Sequence, residues 1–336
     1  MDWQPLSKTD YIDVIWPSAA PFLAEGVSLE QFMEKLNQVV KDYGLAGINY
    51  NLNDVKPAAS FVGYYANSDA SRANTLREVL LNQNTKAIWA GRGGYGAAEI
   101  IQIYEQEGFT FPADRVIPLI GFSDFTAFHS LASRYKWPTL HGPVGNFNME
   151  MSSLAGEGAN SKTSIRPLID ILKGDVKEVT YALKNLNSSA IEQSQYQDPI
   201  TTKIVGSNFS VVQRSDGTAT QLNADGSILF FEDTQEDIRR MRSLLTSIAR
   251  TGMVDNAVAL FFGSLPISGG ALEELLTDFA NTLKEVRGVN IPILLNPGFG
   301  HGDVNQVLPL GTLTTLTFKS DGHANITVSP NKSAYP

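Results

Sequence analysis

The sequence predicts an α/β protein in two parts, a parallel sheet covered by helices on both faces and a smaller mixed α/β half richer in β-structure. From residue 11 to about 143, short apolar runs alternate with amphipathic helical stretches, the pattern of a buried parallel sheet. Between 151 and 163 the chain becomes rich in Ser, Gly and Ala, and from 203 strands and helices resume with less regularity. These changes divide the chain into 1–145, a connector with a variable surface element at 146–202, and 203–336.

Each element has a local reason. Residues 11–16 read as the first strand, stopped by Pro17-Ser18. A helix follows in which Ser28 and Gln31 make a capping box and Leu29, Phe32, Met33, Leu36, Val39 and Val40 keep the helical period up to Gly44. Strand-like 47–50 leads to a helix at 68–81 with Leu76, Val79 and Leu80 on one face, and the buried strand 87–90 runs into Gly91-Arg92-Gly93-Gly94-Tyr95-Gly96. A helix at 97–106, a strand at 116–120 and a helix at 127–135 complete the first part, and 165–172 reads as a short helix before the polar stretch 185–199. The second part offers strands at 203–206, 227–232, 257–263 and 291–295, helices at 235–250 and 271–286, and a hairpin of 310–318 and 324–328 through Ser320-Asp321-Gly322.

Composition excludes several classes of function. With 336 residues, 43% hydrophobic and 18% charged, the chain can bury a substantial core. A formal charge of −9 without clustered Lys and Arg speaks against nucleic acid as a partner. Zero cysteines exclude disulfides, thiolate catalysis and iron–sulfur clusters, and four scattered histidines show no metal-ligand spacing, so neither metal nor cofactor is expected. No run reaches the length of a membrane helix and the start lacks the pattern of a signal peptide, which gives a cytoplasmic expectation, or a periplasmic one if a signal has been removed.

Chemistry concentrates at turns. In Gly121-Phe122-Ser123-Asp124-Phe125-Thr126 a serine stands between a strand and a helix, where unpaired N–H groups and the helix dipole favour negative charge. Ser123 reads either as an N-cap or as a nucleophile, and Phe125 replaces the second glycine of the Gly-x-Ser-x-Gly elbow. A serine nucleophile needs a base and an orienting acid. His301, in the glycine-rich turn 296–303, is a base or a solvated loop residue; Glu232, ending an apolar strand, is the acid or a helix-capping partner, with Asp233 as its rival. The 91–96 turn is a phosphate cradle, an oxyanion hole or a tight turn, and Arg92 within it suits a carboxylate. His129 reads as a surface or core contact, His141 as a residue near the cleft and His323 as a hairpin tip.

In series, Arg92-Gly93-Gly94-Tyr95-Gly96, Gly121-Phe122-Ser123-Asp124-Phe125-Thr126, His141-Gly142-Pro143, Phe230-Phe231-Glu232-Asp233 and Pro297-Gly298-Phe299-Gly300-His301 resemble the serine LD-carboxypeptidases, with Trp16-Pro17-Ser18 and Gly206-Ser207-Asn208-Phe209 as weaker markers. The resemblance implies a Rossmann-like, flavodoxin-like N-terminal domain and a smaller C-terminal domain, often in a homodimer. It implies Ser123 as nucleophile, His301 as base and Glu232 as orienting acid. It further implies an oxyanion hole from the N–H groups of Gly94 and Asp124, and substrate-binding positions at Arg92, Gly93 and Asn208. The activity it implies is release of the terminal D-alanine from murein tetrapeptides in wall recycling. A second branch resembles the microcin C self-immunity peptidases, which cleave peptidyl or aminoacyl-nucleotides and stack a base on a tryptophan; residues 146–202 contain Tyr181 and Tyr196 but no tryptophan. A reading of another class is a two-domain ligand-binding protein without turnover. Ser207 and Phe209 depart from the family pattern, where glycine and leucine are common.

Overall fold

The structure is a computed structural model and describes residues 1–156, 162–268 and 271–335. Residues 157–161, within the Ser/Gly/Ala-rich stretch, lie outside the described residues. The first sheet is built from β1 (Tyr11–Ile15), β2 (Gly47–Asn49), β3 (Ile88–Ala90), β4 (Leu119–Gly121) and β5 (Thr139–His141), parallel and in the order 2-1-3-4-5. Helices α1 (Leu29–Asp42), α2 (Asp69–Leu81), α3 (Ala97–Glu107) and α4 (Thr126–Arg134) connect them. The capping box of α1 forms as expected, with Ser28 and Gln31 bonding each other's backbone. Two apolar clusters lie on the two faces: Trp89, Phe32 and Leu36 on one, Phe125, Phe128 and Tyr104 on the other. Burying each of these large side chains contributes roughly 1.5–3 kcal/mol, so both faces are covered by necessity.

In the middle stretch, α5 (Arg166–Leu172) packs Leu168, Ile169 and Leu172 into the first core, and β6 (Val179–Asn185) enters the second sheet. The polar stretch 185–199, without periodicity, contains the single turn α6 (Ser188–Ile191). The second sheet takes β7 (Ile200–Thr202), β8 (Ile204–Asn208), β9 (Ile228–Glu232), then β11 (Ala259–Phe262) and β13 (Ile293–Leu295), with a two-residue pair, β10 (Glu236–Asp237) and β12 (Ile267–Ser268), standing apart. Strands β8, β9, β11 and β13 are parallel, and α7 (Phe209–Arg214), α8 (Ile238–Thr251) and α9 (Leu272–Arg287) cover them. The hairpin β15 (Thr312–Phe318) and β16 (Ala324–Ser333) extends the sheet in antiparallel fashion. The molecule is therefore an α/β protein with a parallel-sheet N-terminal domain and a separate mixed-sheet C-terminal domain.

One strand crosses between them. β14 (Leu308–Leu310), which lies in the chain between β13 and β15 of the second sheet, pairs antiparallel with β5 at the edge of the first sheet. Pro309 offers no N–H to a further neighbour, so this strand suits an edge. No helix among the described residues is long and apolar enough to cross a membrane.

Candidate active site

The loops after β3 and β4 leave the carboxyl ends of the first sheet beside the point where strand order reverses, the usual place for a site in such sheets. Those after β9 and β13 leave the same end of the second sheet. The two edges meet across a cleft of about 550 Å³ whose lining includes Arg92, Gly94, Ser123, His301 and Asn305.

Ser123 follows an extended Phe122 and adopts φ +62°, a left-handed conformation costly for a side chain bearing Cβ. Its hydroxyl has no hydrogen-bond partner among the described residues and caps no helix, so the N-cap reading does not hold. The turn is braced from behind. His129 Nε2–H donates to the Gly121 carbonyl at 3.0 Å, while its Nδ1 accepts from the Thr139 hydroxyl at 2.8 Å. Burial pushes the pKa of His129 down to about 4, which keeps it neutral. In front, the backbone of Gly93 lies so close that a Cβ there would sit 2.8 Å from Ser123 Cβ and 3.0 Å from Ser123 Oγ. The N–H groups of Gly94 and Asp124, on either side of the serine, have no hydrogen-bond partner among the described residues.

Across the cleft, β9 alternates through its last residue. Phe230 faces one cluster and Phe231 the other, so Glu232 falls on the Phe230 side, under the 296–305 turn. Its carboxylate is fully buried, and Oε2 accepts from His301 Nδ1 at 2.6 Å and from the His301 backbone N–H at 3.2 Å. Asp233 faces the other way, holding the Ser210 hydroxyl and N–H and the Asn208 amide, which settles the rivalry of the two acids for His301. Gly300 allows the approach: its φ is +98°, and a Cβ would lie 2.2 Å from Glu232 Oε2. The His301 side chain remains 18% exposed, its Nε2 unpartnered among the described residues and its ring 4.7 Å from that of Phe122. Burial works against protonation of His301, but the charge and hydrogen bond of Glu232, aided by Asp233, outweigh it and raise its pKa above the ordinary value.

Other residues depart from the sequence reading. His141 is completely buried beneath the cleft rather than lining it. Its Nδ1 accepts from the Ser207 hydroxyl at 2.8 Å and its Nε2–H donates to Asn305 Oδ1 at 3.1 Å; Oδ1 also accepts from Gly300 N–H at 2.8 Å. Ser207 thus supplies a hydroxyl that the family's usual glycine would lack. Asn208, expected to bind substrate, is also off the cleft: its Nδ2 donates to Asp233 and its Oδ1 accepts from Val211 N–H at the start of α7. Both ends of its amide are thus engaged within the fold. His323 sits exposed at the hairpin tip, 3.3 Å from Asp321.

Arg92 lines the cleft, mostly buried, with its guanidinium 3.4 Å from the Phe22 ring centroid, 5.6 Å from that of Tyr64 and bonded to the Ala20 carbonyl. Burial lowers its pKa, yet an arginine stays charged at neutral pH. No carboxylate among the described residues pairs with it. Phe22, Tyr64 and Asn305 were invisible to motif reading. Only the place of Asn305 within the turn that carries His301 gave a signal.

Comparison with known proteins agrees with this layout. Models of the LD-carboxypeptidase N-terminal and C-terminal domains match residues 12–142 and 201–316. A provisionally named carboxypeptidase of Rickettsia conorii is 31% identical over 279 residues, covering 82% of each chain. The murein tetrapeptide carboxypeptidase of Pseudomonas aeruginosa is 23% identical over 321 residues, covering 94% of each. Among solved structures, the muramoyltetrapeptide carboxypeptidase of Oxalobacter formigenes aligns with a TM-score of 0.69 at 19% identity, over 96% of this chain and 99% of that one. The protein MccF in complex with glutamyl sulfamoyl guanosine aligns with 0.70 at 18% identity, over 99% of each. Matched over both of its domains, in the order in which the two edges of the cleft are built, the chain belongs to the LD-carboxypeptidase family of peptidases.

Proposed function

We propose that the protein is a serine carboxypeptidase that removes the terminal D-alanine from murein tetrapeptides. The observation that carries this reading is Ser123, strained and with a free hydroxyl, in the same cleft as a histidine whose Nδ1 is held by a buried glutamate. In the proposed reaction Ser123 Oγ attacks the scissile carbonyl carbon while His301 Nε2 takes its proton, and Glu232 stabilises the imidazolium. The oxyanion is held by the N–H groups of Gly94 and Asp124, an arrangement that typically contributes a few kcal/mol. His301 then protonates the leaving amine, and water hydrolyses the acyl-enzyme. Arg92, charged and without an acidic partner, is the group we assign to the substrate's terminal carboxylate.

The nucleotide reading has its own support in the fold shared with MccF. Against it, all four tryptophans lie at or before Trp137, so residues 146–202 offer none to stack on a base. Mass spectrometry of products from a murein tetrapeptide and from an aminoacyl sulfamoyl adenosine separates the two. Release of D-alanine is expected, reduced at least about a thousandfold in Ser123→Ala. Cleavage of the adenosine substrate alone would reassign the substrate, and unchanged turnover by the variant would end the serine mechanism.

A further inference from the structure

The side chain of Asp124 joins three segments that are distant in sequence. Its Oδ2 accepts from the Ser18 hydroxyl at 2.6 Å, in the loop after β1, and from Ala97 N–H at 2.9 Å, the first residue of α3. Helix α3 has no side-chain cap of its own, since its N-cap position is Gly96. Asp124 supplies the missing acceptor from the neighbouring turn. The Ser18 loop is itself tied to the glycine-rich turn, with Ala19 N–H donating to the Gly93 carbonyl at 3.2 Å. One carboxylate therefore fixes the spacing between the turn that carries Gly94 N–H and the turn that carries Asp124 N–H.

We propose that the Asp124 carboxylate is a positioning residue for acyl transfer: while ionised it locks the Gly94 and Asp124 N–H groups into one oxyanion hole, and on protonation it loosens them. The proposal rests on the serine mechanism above. Protonation converts two charge-assisted hydrogen bonds into neutral ones, roughly half as strong, and removes the negative charge facing the N-terminus of α3. The change falls within reach of ordinary assays. Burial pushes the Asp124 pKa up to about 6, against the bonds from Ser18 and Ala97; Glu99 on α3 raises it further and Arg72 on α2 opposes. Tyr64, from the loop before α2, also faces the group. Acid inactivation should then take two protons, one on His301 and one on Asp124.

The test is the pH dependence of kcat from 4.5 to 8 for the whole chain, with KM and the rate of labelling by a fluorophosphonate serine reagent. Wild type should lose turnover with a limb that steepens to two protons at acid pH. Asp124→Asn should lower kcat about tenfold or more at pH 8 with KM within about twofold. Its acid limb should be that of a single proton, so that at pH 5 its normalised activity exceeds that of wild type by about tenfold. Ser18→Ala removes a bond that lowers the Asp124 pKa, so its second break should move to higher pH, and this variant carries the test if Asp124→Asn fails to fold. A two-proton limb retained in Asp124→Asn, a single-proton limb in wild type, or an unmoved break in Ser18→Ala would each overturn the proposal. Labelling or turnover that persists in Ser123→Ala would instead remove the serine mechanism, whatever the Asp124 variants do.

Discussion

Glu232→Gln keeps the shape of a wholly buried side chain and removes its charge. In the parent, Oε2 serves two donors of His301 and Oε1 has no partner. The amide can still accept from Nδ1–H, but its NH2 group must then occupy a buried position that offers no acceptor. Unpairing a buried charged couple of this kind costs about 3–5 kcal/mol, and here the cost falls mainly on the imidazolium formed as Ser123 is deprotonated. At 1.36 kcal/mol per factor of ten, kcat should fall about 10²- to 10⁴-fold. The pH profile should move as well. His301 owes its raised pKa to Glu232 acting against burial; without the carboxylate, burial dominates and the acid limb shifts to lower pH. Stability gives a third readout. A histidine with a raised folded-state pKa contributes stability that is full below its unfolded value and is lost as pH rises through the folded value. The variant should therefore be more destabilised relative to wild type at pH 5.5 than at pH 8.5, by chemical denaturation. A kcat within about threefold of wild type, or an acid limb that stays in place, would refute the reasoning.

Arg92→Ala should raise KM for a peptide with a free terminal carboxylate about 10- to 100-fold, the cost of about 1.5–3 kcal/mol for a charged hydrogen bond, while hydrolysis of the amide-capped peptide stays near the wild-type rate. Equal loss on both substrates, in steady-state kinetics, would reassign Arg92 to holding the Ala20–Phe22 loop. Gly300→Ala places a Cβ at φ +98° and 2.2 Å from Glu232 Oε2. Strain and crowding together should cost about 2–5 kcal/mol, lowering Tm and turnover; a variant unchanged in both would show that the turn relaxes freely.

Much of this fold is legible because its signals are local. The Ser28 capping box, the period of α1, and the apolar runs that became β3 and β9 each carry their cause within a few residues. β14 is not legible for the opposite reason: Leu308–Leu310 is a strand only because β5 offers an edge. β6 does carry a local two-residue alternation, with Tyr181 and Leu183 buried, but its place between β13 and β16 is set by pairing with distant segments. Within the site, sequence could place Ser123 and His301 on turns and Glu232 at the end of a strand but could not choose between Glu232 and Asp233, because that choice depends on whether pairing with β8 continues to the last residue of β9. For Asn208, an asparagine before a helix serves equally well as a cap or as a ligand in sequence, and the structure engages it as the cap of α7 and as a donor to Asp233.

The crossing made by Leu308–Leu310 bears on how the crevice opens. Just after His301 the polypeptide returns to the sheet that bears Ser123 and stitches itself to its rim, so the lobes are not hung on a single flexible thread. Wide swinging apart would require tearing a backbone ladder. Guests must enter through the existing mouth, and small rearrangements of the glycine-rich turns are what remain to admit them.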